Sequence, residues 1–246
     1  MRSGRALRVR DLDLLGLGVL ETRAIAEELM DDPALDRATY LLVMRDLART
    51  NSVTMARRAT LGFLDRAIGN RRHFRLLDVG YGDGDMLRAI ARWAAKRGIA
   101  AALIGVDLNP GSKSAAEAAT PVDLPIAYLT GDYHDVGGAP FDFVISSLVA
   151  HHMSHDQLII FLKFMEHSAR GGWFVNDLHR HGFAWVGFPL LARLMRWHPI
   201  VRHDGQLSIA RSYRPAEWPP LLGEAEIAGA AVRRVFPFRL CVERIR

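Results

Sequence analysis

The sequence predicts an α/β domain built on a parallel sheet and preceded by a helical piece. Three observations carry this. From residue 74 onward, short apolar runs alternate with segments of helical periodicity. The first of those runs ends in a glycine-rich turn. Residues before about 72 show helical spacing and no convincing strand. The chain of 246 residues thus divides into an N-terminal helical lid or appendage (1–72) and a larger domain (73–246), with a helical insertion at about 179–225.

The elements follow in order. Asp31-Asp32-Pro33 is a helix-start signal, an acid cap with proline early in the helix. Leu35, Ala38, Leu41, Leu42 and Leu47 then recur at helical spacing, and a second helical run covers Val53 to Ile68, stopped by Gly69-Asn70. Phe74 to Gly80 is an apolar run closing on a glycine turn, followed by a helix at Met86 to Lys96. Next come a strand at Ala101 to Asp107, a helix at Ser112 to Ala119 and a strand at Ile126 to Thr130. A strand at Phe141 to Ser146, a helix at His155 to Ala169 and a strand at Trp173 to Asp177 complete the alternation. Beyond residue 178 the pattern weakens to helices at Phe183 to Met195 and Pro215 to Glu224. Two β-like runs close the chain, Ala231 to Phe236 and Arg239 to Ile245.

Composition excludes several classes. Half the residues are hydrophobic and 24% are charged, which rules out disorder throughout the chain. A single cysteine, Cys241, excludes a disulfide framework and a cysteine-based zinc cluster. The run from Phe183 to Met195 is broken by Arg193 and is too short to span a bilayer, so no stable membrane insertion is expected. The net charge of +5 is almost all arginine and says little about partners. A nucleic-acid binder would show a basic stripe interleaved with aromatics. The nearest feature, Arg2, Arg5, Arg8 and Arg10, reads as a solvated terminus. With one cysteine and no export signal, the cytoplasm is the expected location.

The most informative stretch is Asp78-Val79-Gly80-Tyr81-Gly82-Asp83-Gly84, at a strand-to-helix turn. Glycines there permit a tight turn and let a ligand approach the backbone, and the following helix offers unpaired N–H groups. The G-x-G-x-x-G spacing of a dinucleotide site fails, because its third glycine would fall on Asp85 or Leu87. Asp107 ends the second strand, where a carboxylate can accept both hydroxyls of a ribose. Asp132 follows the third, placed to accept from an exocyclic amine. Acids at three successive strand ends share one edge of a parallel sheet and suit an adenosine ligand that is positively charged and lacks phosphates.

On these residues, about 74–178 of the chain resemble the class I S-adenosylmethionine-dependent methyltransferases. Asp78 to Gly84 looks like their first motif, Asp107 like their ribose acid and Asp132 like their adenine-side acid. Phe141 to Leu148 followed by Ala150-His151-His152-Met153 is similar to the small-molecule, ubiquinone-methyltransferase-like branch (type 11/12). Glu28 to Pro33, Val175 to Leu178 and Val201 to Gly205 resemble a bacterial subgroup associated with polyketide and phenolic-lipid pathways, a role in secondary metabolism. The resemblance implies a Rossmann-like, seven-stranded, mostly parallel sheet whose reversed last strand is the run from Arg239. It implies S-adenosylmethionine as cofactor, held by Asp78, Gly80, Gly82, Gly84, Asp107, Leu108, Asp132, Tyr133 and Ser146. Tyr81 departs from the small residue usual there and is expected to narrow the methionine end of the pocket.

Methyl transfer from a sulfonium needs positioning and the exclusion of water more than activation. A phenol acceptor must also lose a proton, for which histidine suits. His152 and His151 follow the fourth strand at the ligand edge and are the candidate bases, His152 slightly favoured. His179 and His181 after the fifth strand, and the pair His203-Asp204, are weaker candidates. His151 and His155 have a helical metal-ligand spacing with no evident third ligand, so no metal is expected. Phe183, Trp185, Phe188, Leu191, Leu194, Leu41, Met44 and Met55 are expected to line an apolar acceptor pocket, with Arg211, Ser212 and Tyr213 as possible polar contacts. The expected function is methylation, most simply at oxygen, of a small aromatic or hydrophobic acceptor (phenolic, quinone or polyketide-like) by a monomer or homodimer. Alternatives are a non-catalytic S-adenosylmethionine-binding module and an RNA methyltransferase. Against the latter, Ser146-Ser147-Leu148-Val149 replaces the Asn/Asp-Pro-Pro-aromatic motif of base methylation. A short-chain dehydrogenase is excluded because no tyrosine has a lysine four residues later.

Overall fold

A computed structural model describes residues 17–32, 34–137 and 140–246. The basic positions 2, 5, 8 and 10 and Pro33 of the expected helix start lie outside them. Two helices come first, α1 (Arg37–Val53) and α2 (Ala56–Ala67). Then follow β1 (His73–Val79), α3 (Asp85–Lys96), β2 (Ala100–Asp107), α4 (Pro110–Ala119), β3 (Ile126–Thr130) and β4 (Phe141–Ser147). The remainder is α5 (His155–Ser168), β5 (Ala169–Leu178), α6 (Gly182–Leu194), α7 (Pro199–Arg211), α8 (Trp218–Glu224), β6 (Ala231–Val235) and β7 (Arg239–Ile245).

The seven strands form one sheet in the order β3-β2-β1-β4-β5-β7-β6. β1 to β5 are parallel, and β7 runs antiparallel to both β5 and β6. The fold is therefore the Rossmann-like, mostly parallel one that the sequence predicts. Strand alternation sends neighbouring residues to opposite faces. Leu77, Val144 and Val175 pack with α5 and α8, around Phe161, Leu162 and Trp218. Leu76, Phe143 and Phe174 pack with α2 and α3, around Phe63, Leu87 and Ile90. Apolar residues on both faces are what a sheet covered by crossover helices requires. The order reverses beside β1, whose neighbours β2 and β4 lead to opposite sides, so a crevice opens at the strand C-termini.

Two differences from the sequence reading matter for the site. α1 starts at Arg37, where Asp36 caps the backbone N–H of Thr39, and not at the acid pair before it. α7 is not legible in the sequence, because its apolar residues Ile200, Val201, Leu207, Ile209 and Ala210 keep no helical period, with His203 and Asp204 standing one turn after Ile200. Together α1, α6 and α7 share a small core of Val43, Ala192, Trp197 and Val201, which roofs the crevice. No described helix is long and apolar enough to cross a membrane.

The N-terminal helices are anchored through Phe63 of α2. Its buried ring stacks on Phe174 (4.9 Å between centroids) and meets Phe143 edge-on at 6.0 Å. Phe63→Ala is expected to cost about 3–5 kcal/mol in urea unfolding, the usual range for emptying a buried phenylalanine site.

Candidate active site

A cavity of about 440 Å³ lies along the C-terminal edge of β1, β2 and β4, under the roof helices. Its floor at one end is the glycine turn. Gly80, Gly82 and Gly84 all have left-handed backbone, with φ of 76°, 57° and 75°. A side chain at Gly80 would collide with Val149, and one at Gly84 with Tyr128. The turn is held from the next strand: Gly80 N–H donates to Val106 O at 2.8 Å, and Gly82 N–H to the Asp107 carboxylate at 2.9 Å. The other Asp107 oxygen accepts from Asn109 N–H. Leu108 beside it is exposed despite being apolar, and borders the cavity with Gly131 and Tyr133.

Asp78 also borders this end. Burial, then the charges of Asp107 and Asp85, push its carboxyl well up, and one of its oxygens has no hydrogen-bond partner among the described residues. A concentration of carboxyl groups around a backbone cradle, with one buried oxygen unsatisfied, fits a cationic ligand bearing hydroxyls. It does not fit a phosphate group.

Several expected residues sit elsewhere. Ser146 is buried with its hydroxyl turned away, and Ser147, its neighbour on the opposite strand face, borders the cavity instead. The Asp132 side chain does not border the cavity. It accepts from His134 N–H and the His134 ring, both at 2.9 Å, as a turn residue would. Gly84 serves as the N-cap of α3, outside the cavity wall. Tyr81 borders the cavity, and its buried ring packs across Gly105 and contacts Tyr128 (5.0 Å between centroids) below the turn.

The other end of the cavity is built around His151. Leu148, after β4, takes a left-handed φ of 62° and donates its N–H to Asn176 O. This reversal carries the loop back toward β5, where His151 N–H and Nδ1 meet the two Asp177 oxygens at 2.9 and 2.7 Å. On the far side, Nε2 of His151 is 3.5 Å from Oε1 of Glu28, and Nε2 of His152 is 3.8 Å from the same atom. That oxygen also accepts from Ser208 Oγ at 2.7 Å and lies 3.8 Å from Arg211 Nη1. His151, Asp177 and Glu28 are all buried, whereas 32% of the His152 side chain is exposed.

Burial alone would lower the His151 pKa. The charge and hydrogen bond of Asp177, then those of Glu28, reverse this and hold it at about 9. Burial likewise opposes ionisation of Asp177 and Glu28, but His151 holds both below the usual carboxylate range. His151 is therefore a fixed imidazolium bridging two carboxylates. His152 is the imidazole that reaches open space.

Glu28 lies on a strap, residues 17–32, that crosses the roof. Arg23 ties it down through Arg211 O at 2.7 Å, Tyr213 Oη at 2.6 Å and the carbonyls of His151 and Met153. Asp204, buried in α7, accepts from the N–H groups of Leu29 and Met30 at 3.0 and 2.9 Å. In the sequence Asp204 pairs with its neighbour His203. That hydrogen bond exists at 2.8 Å, but it lies outside the cavity wall. His179 and His181 lie outside it too, and His181 caps α6. His155 pairs with Glu224 on the surface. The third group beside His151 and His152 is Glu28, with all three ligand-type atoms within 4.8 Å of one another. Arg211 already supplies a positive charge there.

Of the expected apolar wall, Met44 and Phe188 border the cavity, joined by Met30, Leu47 and Ile209. Phe183, Leu194 and Leu41 face outward, Trp185 and Leu191 lie off the wall, and Met55 borders a second cavity, between α2 and the β6–β7 strands. Arg211 and Tyr213 stand behind the histidine loop, where Arg211 donates to the carbonyls of His151 and His152. Glu28 and Asp177 escaped the sequence reading as site residues. Asp177 carried the signal already used for Asp107, an acid at the end of a parallel strand.

Comparison with known proteins places this edge in context. The methyltransferase-domain family matches residues 77–176. No curated protein matches the chain in sequence. Human N-acetylserotonin methyltransferase, solved with SAM, is 17% identical with a TM-score of 0.63; the match covers 96% of this chain and 66% of that one. The plantazolicin methyltransferase BpumL, solved with SAH and a monoazolic desmethylPZN analog, is 13% identical with a TM-score of 0.64, covering 96% and 98%. Magnesium protoporphyrin IX methyltransferase from Synechocystis PCC 6803, with bound SAH, is 16% identical with a TM-score of 0.52, covering 88% and 91%. At these identities the likeness is one of fold.

Folding raises the proton affinity of His151, so its contribution to stability is fully present below the unfolded pKa near 6.5 and is lost as pH rises through about 9. The stability advantage of wild type over His151→Gln, read from thermal melts, is expected to shrink across that window. An advantage independent of pH there would contradict the bridged imidazolium.

Proposed function

We propose, from the premise that this chain carries a class I S-adenosylmethionine-dependent methyltransferase domain, that it transfers a methyl group to a hydroxyl of a small aromatic or hydrophobic acceptor. One observation carries the reading. A partly exposed imidazole, His152, and a glycine-turn cradle ringed by carboxyl groups border one cavity.

S-adenosylmethionine, when bound, supplies a methyl group on a positively charged sulfur, which needs no further activation. The turn at Gly80 and Gly82 would hold it through backbone groups, and Asp107 would accept from its ribose. Leu108 and Tyr133 offer apolar surface for the adenine, and Asp78 a buried carboxyl near the positive charge. Ser147 takes the place first given to Ser146, and Gly131 with Tyr133 the place given to Asp132.

The acceptor fits the apolar end, between Met30, Met44, Leu47, Phe188 and Ile209. A phenol has a pKa near 10 and needs a base to lose its proton at neutral pH. His152 takes that proton at Nε2, and the buried Glu28 carboxylate stabilises the imidazolium that results. His151 and Asp177 are positioning residues: they hold Glu28 and the loop in register. The roof helices and the strap keep water away. This favours oxygen over carbon or nitrogen acceptors, and phenolic, quinone or polyketide-like compounds as the class to screen.

Calorimetric titration of S-adenosylmethionine is expected to give micromolar binding that collapses in Asp107→Ala. No binding by folded wild type would overturn the reading. With an acceptor in hand, His152→Gln is expected to lower kcat by about 10²–10⁴ with little change in cofactor affinity. If His151→Gln lost that rate and His152→Gln kept it, the base would be His151.

A further inference from the structure

We infer that the outer face of α6, together with the tip of the β6–β7 hairpin, docks on the surface of an anionic lipid bilayer. α6 is a surface helix that is apolar nearly all round. Its sequence, Gly182 to Leu194, contains one charged residue, Arg193, and no acid. Such a helix is ordinarily buried on every side. Here only one side is used. Ala184 and Ala192 are buried, and Phe188 borders the cavity. The opposite side presents Phe183 (80% exposed), Val186 (43%), Leu190 (60%) and Leu194 (79%). At 3.6 residues per turn these four fall within an arc of roughly 80°, so they form one stripe and not scattered positions.

The stripe continues onto the hairpin. The His181 ring lies 5.7 Å from the Phe183 ring and 5.3 Å from the Phe238 ring, and Phe236 beside it is also exposed. Apolar side chains on two separate elements therefore form one patch, of the kind that marks a docking surface.

Charge selects the occupant. From His179 to His203 the chain has no Asp or Glu, and holds Arg180, Arg193, Arg196 and Arg202. From Ile227 to Val242 it again has none, and holds Arg233, Arg234 and Arg239. Arg193, Arg196 and Arg234 are exposed with no carboxylate partner among the described residues. Apolar side chains rimmed by unpaired arginines match the boundary between acyl chains and anionic headgroups. The helix would lie in the plane of that boundary and would not cross it, in keeping with its length. Its inner face would then roof the cavity while its outer face touched lipid, so a hydrophobic acceptor dissolved in the bilayer would be close at hand.

The test is vesicle flotation of the full chain, which reads binding and needs no enzymatic turnover. Its failure is therefore separate from any failure of the proposed activity. Wild type is expected to float with phosphatidylcholine vesicles containing phosphatidylglycerol, more weakly with phosphatidylcholine alone, and less in high salt. The double variant Leu190→Glu/Leu194→Glu is expected to lose roughly tenfold or more in lipid affinity. Its melting temperature and S-adenosylmethionine binding should be unchanged, since both side chains face outward. Arg193→Glu/Arg196→Glu is expected to abolish the preference for anionic lipid. Absence of flotation with anionic vesicles, or equal flotation of the leucine double variant, overturns the proposal. So does a wild-type dimer that the leucine variant converts to monomer without any lipid binding, which would make the patch an interface between copies.

Discussion

Burying ionised groups is costly unless each finds a partner, and this chain seals three of them, Glu28, His151 and Asp177, beneath one roof. The constraint ties together parts of the molecule that are far apart in sequence. Asp177 is fixed by β5, an interior strand of the sheet between β4 and β7. His151 reaches it only because Leu148 bends the loop after β4 into left-handed backbone. Glu28 completes the row from the N-terminal strap, and Ser208 and Arg211 of α7 supply its remaining partners. Removing His151 leaves the buried Asp177 carboxylate without its cation, and the shared contacts of Glu28 make the strap, the loop and α7 hold each other in place.

The same sheet edge serves the two ends of the cavity differently. At the glycine turn, Arg57 pairs with Asp85 and Arg88 with Asp83, while burial, then the charges of Asp107 and Asp85, raises Asp78. At the histidine end, each carboxylate faces a cation, and Asp177 and Glu28 are lowered. The first arrangement favours a positively charged guest. The second pairs its carboxylates with cations and leaves His152 partly exposed at the margin of the cavity.

Much of the fold was legible because its signals are local. Alternation of short apolar runs with helical segments shows in any window of the sequence, and so do strand-terminal acids and a glycine turn whose φ values only glycine adopts easily. The bounds of β3 and β7 in the structure are those read from sequence. α7 was missed because its burial comes from tertiary contacts on several sides, which leaves no clean period. Within the site, the cavity is bordered by Ser147 where the sequence points to Ser146, because a strand reverses facing at every residue and the sequence does not state which face lines the cavity. Asp132 and Asp107 look alike in sequence. Only the neighbours separate them: a nearby histidine engages Asp132, and the glycine turn engages Asp107.

By itself, then, the sequence determined the class of fold and the glycine turn at the end of the first strand, because the apolar alternation and the turn glycines are each visible in short windows of the chain. It also placed two histidines after the fourth strand. Only the tertiary structure decided which of them is buried and bound by Asp177 and which is partly exposed, and it brought Glu28, more than a hundred residues away, beside both. It likewise decided which side of α6 faces the cavity and which faces outward. A helix that is apolar all round carries no mark of its own orientation, and packing against Val43, Trp197 and Val201 supplies it.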